Sequence, residues 1–397
     1  METLLSKYPN FNAKIFVEDE DEDLPNRNLG PNPKIRNLTR AYKEAKSDVI
    51  WIVDCNVWMS NVAAGMMIDK LCGYGPNRTR VQPYRFVHQL PIVIDQQTTG
   101  KSGEKDLSSW RIPGSKKFLF SNLTAIVRDA VRTKGGRLEE MFMATSHAKF
   151  YSFFCAAAIR ACVVGKSNMF RRSHLDRLTA EADPSKPCGI DFFSHNICED
   201  QLIGTMLWQE TSPTDQPPQK WGIHGLIKGA IVVQPVAEMS VSDFVARRLR
   251  WQRVRKFEKL TAFIVEPGIE SLVWSAHGAF AFTTLPFLYN NFGVSPTWGG
   301  FMLVWILGIL FMLTNDWFVY TKLHSGVSQH FDLKTPACVL PTSAPSRRPF
   351  NEWVAAWIFR ELLALPIWCL AGCGSTVYWR SKKFRVGLDM TVHEISD

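Results

Sequence analysis

The sequence predicts an α/β protein in which a sheet-based ligand-binding domain is followed by transmembrane helices. Three observations carry this. The run Asp48-Val49-Ile50-Trp51-Ile52-Val53-Asp54 is apolar and bounded by acids, the pattern of a central parallel strand covered on both faces. Strand-like runs at residues 87–95 and 229–235 are separated by helix-length stretches, as in sheets joined by crossovers. The last third holds three apolar stretches, at residues 260–287, 299–320 and 353–379. Each can cross a bilayer, which needs ~20 residues.

Composition narrows the class. The chain has 397 residues, enough for one large domain plus membrane segments. Its formal net charge is +9, with basic residues massed after Arg247, which suits an anionic leaflet better than a nucleic-acid face. No zinc-finger spacing or aromatic RNA motif is present. Nine scattered cysteines without CxxC pairs fit a reducing, cytosolic compartment. The first residues show no apolar signal-peptide core.

In chain order, residues 12–17 alternate and read as a strand. Residues 18–23 are six consecutive acids; like charges repel, so this is a solvated loop. Gly30-Pro31-Asn32-Pro33 breaks the chain before a helix over residues 34–46. Asp54 ends its strand at the edge where open α/β sheets bind ligands; it could equally cap the following turn. Residues 96–117 read as an inserted polar loop. Two Gly-Lys-Ser fragments resemble phosphate loops. They fail because Asp95 and Arg160 stand where each pattern needs glycine.

Residues 119–132 and 139–160 read as helices, and residues 161–165 as a short strand. Ile197-Cys198-Glu199-Asp200 opens a helix reaching Gln209, where acids face the positive end of the macrodipole whether or not they have another role. A Pro-rich loop at residues 211–219 follows. Ser240 to Asp243 then cap a helix bearing Arg247-Arg248-Leu249-Arg250-Trp251. On it Arg247, Arg250 and Trp251 share one face at i, i+3 and i+4. Two guanidinium forks there suit a diphosphate. The same spacing also suits a juxtamembrane basic cluster with an interfacial Trp.

The apolar stretches carry Glu266, Glu270, Asp316, Arg360 and Glu361, which should face a protein interior or cavity. Arg380, Lys382, Lys383 and Arg385 argue for a cytosolic C-terminus. Three crossings would place it on the other side, so the first stretch, broken by Pro267, is the candidate for a re-entrant segment.

Taken in series, several phrases resemble the inverting family 2 and family 21 glycosyltransferases, nearest the branch that glucosylates ceramide. They are Lys7-Tyr8-Pro9-Asn10, Asn32-Pro33-Lys34-Ile35, Trp51-Ile52-Val53-Asp54, Thr145-Ser146-His147 and Cys162-Val163-Val164-Gly165. Ile197-Cys198-Glu199-Asp200, the Arg-x-x-Arg-Trp of Arg247 to Trp251, and Trp357-Ile358-Phe359-Arg360-Glu361 complete the series. The resemblance implies a GT-A, Rossmann-like domain over residues 1–240. An interface helix over 241–257, a membrane region over 258–380 and a tail over 381–397 follow.

It also implies transfer of glucose from UDP-glucose to ceramide at a Golgi or endoplasmic reticulum membrane, with the catalytic domain facing the cytosol. Asp200 would be the general base. Asp54 would meet the nucleotide sugar directly or through Mg²⁺ or Mn²⁺. Lys34, His147 and Cys162 would lie near the substrates, and Arg247, Arg250 and Trp251 would hold the leaving UDP.

Two departures stand out. Asp54-Cys55-Asn56 lacks the second acid of a DxD pair. The family also begins with a membrane helix, two strands and an early aspartate that precede the first residue here. The strand ending at Asp54 is therefore expected to keep an unpaired edge, and the chain by itself to be inactive. A transferase for a sterol or a polysaccharide, and a non-catalytic membrane protein, stay open as rivals.

Overall fold

The computed structural model describes residues 2–21, 23–24, 29–96, 134–158, 161–209, 220–222, 225–258, 260–327, 329–341, 347–379 and 382–395. The helix expected at 119–132 and the loop at 211–219 lie outside these residues, as does nearly all of the loop at 96–117.

A short helix α1 (Glu2–Leu5) precedes α2 (Pro33–Glu44). Asn32 caps α2, its side-chain oxygen accepting from the backbone nitrogens of Lys34 at 2.8 Å and Ile35 at 3.2 Å, and Pro33 fills the first turn. β1 (Val49–Val53), α3 (Ala63–Cys72) and β2 (Phe86–Gln96) follow. Next come α4 (Gly135–Ala144), α5 (Ser146–Ala157), β3 (Ser167–Arg171), α6 (Arg172–Ala182) and α7 (Glu199–Gln209). β4 (Leu226–Ala237) then leads into the long helix α8 (Val241–Glu258).

The four strands form one mixed sheet in the order β1-β3-β2-β4, parallel between β2 and β4 and antiparallel elsewhere. Ile35, Phe86, Phe170, Leu175 and Ile203 fill the core between this sheet and α2, α6 and α7.

Three local expectations change. The Asp54 strand is not a central parallel strand: among the described residues β1 is an edge strand, antiparallel to β3. An apolar run reports burial, and β1 is half-buried beneath α2 without a second strand beside it. Residues 12–17 are not a strand: among the described residues they pair with no other strand, and Ile15 and Val17 are exposed. Residues 161–165 are extended but outside the sheet. There the Gln201 side chain replaces a ladder, accepting from Val163 N at 2.9 Å and donating to Ala161 O at 2.7 Å.

The first apolar stretch is broken into α9 (Leu260–Val265), a 3₁₀ turn at Glu266–Ile269, α10 (Ser271–Thr284) and α11 (Pro286–Phe292). Pro267, which has no N–H to donate, sits at the break. α12 (Trp298–His324) and α13 (Phe350–Gly372) are long and apolar enough to cross a bilayer. α12 exposes Leu303, Ile306, Leu307, Leu310 and Phe311, a surface suited to lipid rather than water. The third apolar stretch does not stay helical to its end, since Gly374 and Ser375 precede a strand. β5 (Thr376–Trp379), β6 (Lys382–Val386) and β7 (Val392–Glu394) form a small antiparallel sheet, packed on α8 through Val254.

The charges within the apolar segments do face protein. Arg360 lies 2.6 Å from Glu270 and 3.9 Å from Asp316, and it also contacts Glu361. Asp316 accepts from Trp357 Nε1 at 2.7 Å and pairs with Lys149 of α5. Ser146, at the start of α5, donates to Glu270 at 3.0 Å. The long apolar helices α12 and α13 are thus bonded to the segment that carries His147.

Candidate active site

The ladder between β1 and β3 ends at Val53 and Ser167, so the next residues out, Asp54 and Lys166, emerge together; Asp54 N donates to Lys166 O at 3.1 Å. The Lys166 ammonium reaches Asp54 Oδ2 at 2.7 Å. From the first turn of α2, Lys34 reaches the other oxygen, Asp54 Oδ1, at 3.2 Å, Gly165 O at 3.0 Å and Glu199 Oε1 at 3.4 Å. Burial opposes ionisation of Asp54, but the two ammoniums outweigh it and hold the carboxyl below its usual range. Lys34 is raised for the mirror reason: burial works against it, and Glu199, Asp200 and Asp54 together prevail.

Glu199 and Asp200 open α7 on the other side of Lys34. Glu199 is fixed by Asn32 Nδ2 at 3.0 Å, and Asp200 accepts from the backbone nitrogen of Gln201 at 2.9 Å. Burial pushes both carboxyls up, with Lys34 pulling the other way. Lys34, Glu199 and Asp200 line a small cavity floored by Phe86 and Asn168. A Cβ at Gly165 would stand 2.6 Å from the Lys34 ammonium and 3.0 Å from the Asp200 carboxylate, so a larger residue would push those two side chains from their places.

The motif helix α8 lies within electrostatic reach of this cluster and divides its residues. Arg247 pairs with Glu139 at 3.2 Å and lies over Trp251. Arg250 stacks instead on Trp379 of β5. Burial and Arg247 push the Arg250 guanidinium down to about 10, while Glu199, Glu139 and Asp200 work the other way. Trp251 is also stacked by Arg248 at 4.0 Å and lies 5.9 Å from the His147 ring. His147 is buried beneath the motif, and its Nδ1 has no hydrogen-bond partner among the described residues. Burial and the guanidiniums of Arg248, Arg255 and Arg247 hold its imidazole neutral. Cys162 packs in the cluster around Tyr151, one helical turn beyond His147.

The eight residues singled out in the sequence thus fall into two neighbouring groups. Lys34, Asp54 and Asp200 lie in one charged cluster, with Arg247 and Arg250 within electrostatic reach of it, while buried His147 packs against half-buried Trp251 and half-buried Cys162 lies in the neighbouring apolar cluster. Three contributors were missed. Glu139, fully buried, anchors both Arg247 and Arg248, the latter at 2.9 Å. Arg248 is buried and stacked between Phe142 and Trp251. Lys166 was read only as part of a failed phosphate-loop pattern. Its signal was a Gly-Lys pair set immediately before a strand.

The donor set around Asp54 does not suit a resident Mg²⁺ or Mn²⁺. Both oxygens of Asp54 already face ammoniums, at 3.2 and 2.7 Å. Mg²⁺ is commonly held by one or two carboxylates plus substrate phosphates, and here Asp54 has no second acid of a DxD pair beside it.

A carboxylate beside a cation-lined cleft at a sheet edge, walled by an Arg-x-x-Arg-Trp helix that abuts membrane segments, fits a membrane-attached glycosyltransferase. The chain belongs to glycosyl transferase family 21, whose family model matches residues 1–101 and 123–392. It is 43% identical to the ceramide glucosyltransferase of Gibberella zeae over all of this chain and 76% of the relative. It is 44% identical to that of Pyricularia oryzae over 96% of this chain and 74% of the relative. The Candida albicans ceramide glucosyltransferase is 31% identical over all of this chain and 79% of the relative. No solved structure matches the chain.

Proposed function

We propose that this chain forms β-glucosylceramide by transferring glucose from UDP-glucose to the primary hydroxyl of ceramide, with inversion at the anomeric carbon. One juxtaposition carries the reading: Asp200, a carboxylate of raised proton affinity, shares a cleft with cations from three separate elements, Lys34 of α2, Lys166 before β3 and Arg250 of α8. Relatives named ceramide glucosyltransferase support the acceptor and the sugar. The mixed sheet with Asp54 at its edge supports a GT-A domain.

Asp200 accepts the hydroxyl proton as the ceramide oxygen attacks the anomeric carbon. The bond from that carbon to the diphosphate breaks, and the electron pair leaves with UDP. Arg247 and Arg250 stabilise the charge gathering on the leaving diphosphate. Trp251 and neutral His147 keep water from that side. Because α8 leads into the apolar segment that begins at Leu260 and packs against the long apolar helix α13, the acceptor hydroxyl enters from the lipid surface while its tails stay in the leaflet. The setting is a Golgi or endoplasmic reticulum membrane with the cleft facing the cytosol.

Asp200→Asn tests the assignment in a purified, lipid-reconstituted protein supplied with UDP-glucose and ceramide. Turnover should fall about 10²–10⁴-fold, the usual cost of losing a general base, with UDP binding retained. Near-normal turnover would remove Asp200 from the role. Preferential glucosylation of a sterol by the unmodified protein would overturn the acceptor.

A further inference from the structure

We infer that Lys166 is a ligand of the donor's diphosphate and, with Lys34, supplies at Asp54 the positive charge that a divalent cation would otherwise bring. The inference rests on the nucleotide-sugar reading above and names how that site holds its phosphates.

Four observations lead to it. First, Lys166 is buried to 8% exposure, in a class of residue that is seldom buried without a specific partner. Secondly, its ammonium has three donors, and its hydrogen bond among the described residues is the one to Asp54, so donors remain for a ligand. Thirdly, Lys166 feels the charge of both Asp54, which it contacts at 2.7 Å, and Arg247. Burial and Arg247 both depress its proton affinity, and Asp54 only partly offsets them. An incoming anion would relieve that unfavourable charge. Fourthly, Asp54 is a single carboxylate shared by two ammoniums, with no second acid of a DxD pair. Asp54 then acts as a positioning residue, holding Lys34 and Lys166 apart and aimed at the phosphates.

The test is binding of UDP and of UMP by calorimetry to the full chain in detergent, with EDTA and again with Mn²⁺. Lys166→Met should weaken UDP binding by at least about tenfold, a loss of ~1.4 kcal/mol, and leave UMP within about twofold. Lys166→Arg, which keeps the charge, should recover most of the UDP affinity. Unmodified protein should bind UDP equally in EDTA and Mn²⁺. Should Lys166→Met not fold, Lys166→Gln, which keeps a polar partner for Asp54, takes its place. Equal UDP affinity in the uncharged variant and the unmodified protein would overturn the inference. So would loss of UDP binding by unmodified protein in EDTA. A chain that binds UDP through Lys166 but forms no glucosylceramide would instead defeat the ceramide reading and leave Lys166 in place.

Discussion

At the residue scale, the general-base role proposed for Asp200 ties function to pH. A general base works only when deprotonated, and burial raises the proton affinity of this one while Lys34 lowers it. Activity should therefore fall on the acid side, with onset above the usual carboxylate range of about 4. Measured as kcat/KM for ceramide at saturating UDP-glucose, the acid limb should have unit slope. Lys34→Met should shift it to higher pH, because the cation that favours the carboxylate is gone. An acid limb unmoved by that substitution would separate Lys34 from Asp200. For stability the sign is opposite in sense. A carboxyl whose folded proton affinity is raised stabilises the fold at low pH, and that contribution is lost as pH rises through the folded value. Stability and turnover should thus trend against each other across the same window. Which residues carry this was partly legible. Asp54 and Asp200 announce themselves by standing at the end of a strand and the start of a helix. Glu139 and Arg248 do not, because an acid and an arginine inside helical patterns ordinarily face solvent; only the approach of α4 to α8 buries them as a pair.

At the element scale, α4 and α8 meet backbone to backbone. A Cβ on Gly135 would stand 1.8 Å from the carbonyl oxygen of Ser240, a contact that no side-chain rotation relieves. Gly135→Ala should destabilise by about 1–3 kcal/mol or more, the cost of overpacking a close contact. Gly278 of α10 has nothing within 4 Å of the same position, and there Ala should stabilise by roughly 0.5–1 kcal/mol through helix propensity. Thermal unfolding of the two variants in one detergent checks this; shifts of the same sign would show that the contact is not close. The helix signals of α2, α7 and α8 were readable because each begins with a local cap or acid pair. Strand pairing was not. β1 and β3 are antiparallel, and β3 is the polar run Ser167-Asn168-Met169-Phe170-Arg171, which carries no apolar periodicity. In residues 161–165 a single side chain, Gln201, substitutes for a neighbouring strand, which no local pattern could signal.

At the scale of the whole molecule, the long apolar helices are joined by charged and polar contacts to the helix that carries His147. That Asp316, Arg360 and Glu361 would face inward follows from the cost of exposing them to lipid. The partners do not follow from sequence, since Ser146 and Lys149 of α5 lie over 160 residues earlier in the chain. Arg360 holds Glu270, Asp316 and Glu361 at once, and Ser146 of this network adjoins His147. Arg360→Met keeps the side-chain volume but leaves three carboxylates around an uncharged group. Removing one partner of a buried ion pair costs about 3–5 kcal/mol, so this variant should melt well below the unmodified protein in detergent. Turnover should drop as α5 loosens against Trp251. The exposed pair of Lys382 and Glu394, at 2.9 Å, supplies the contrast. A surface pair contributes ~0–1 kcal/mol, so Glu394→Gln should leave melting and turnover nearly unchanged. If Arg360→Met melts with the unmodified protein, the network does not hold the membrane helices to the active-site wall, and the position of His147 must be set by the packing of α4 and α8 alone.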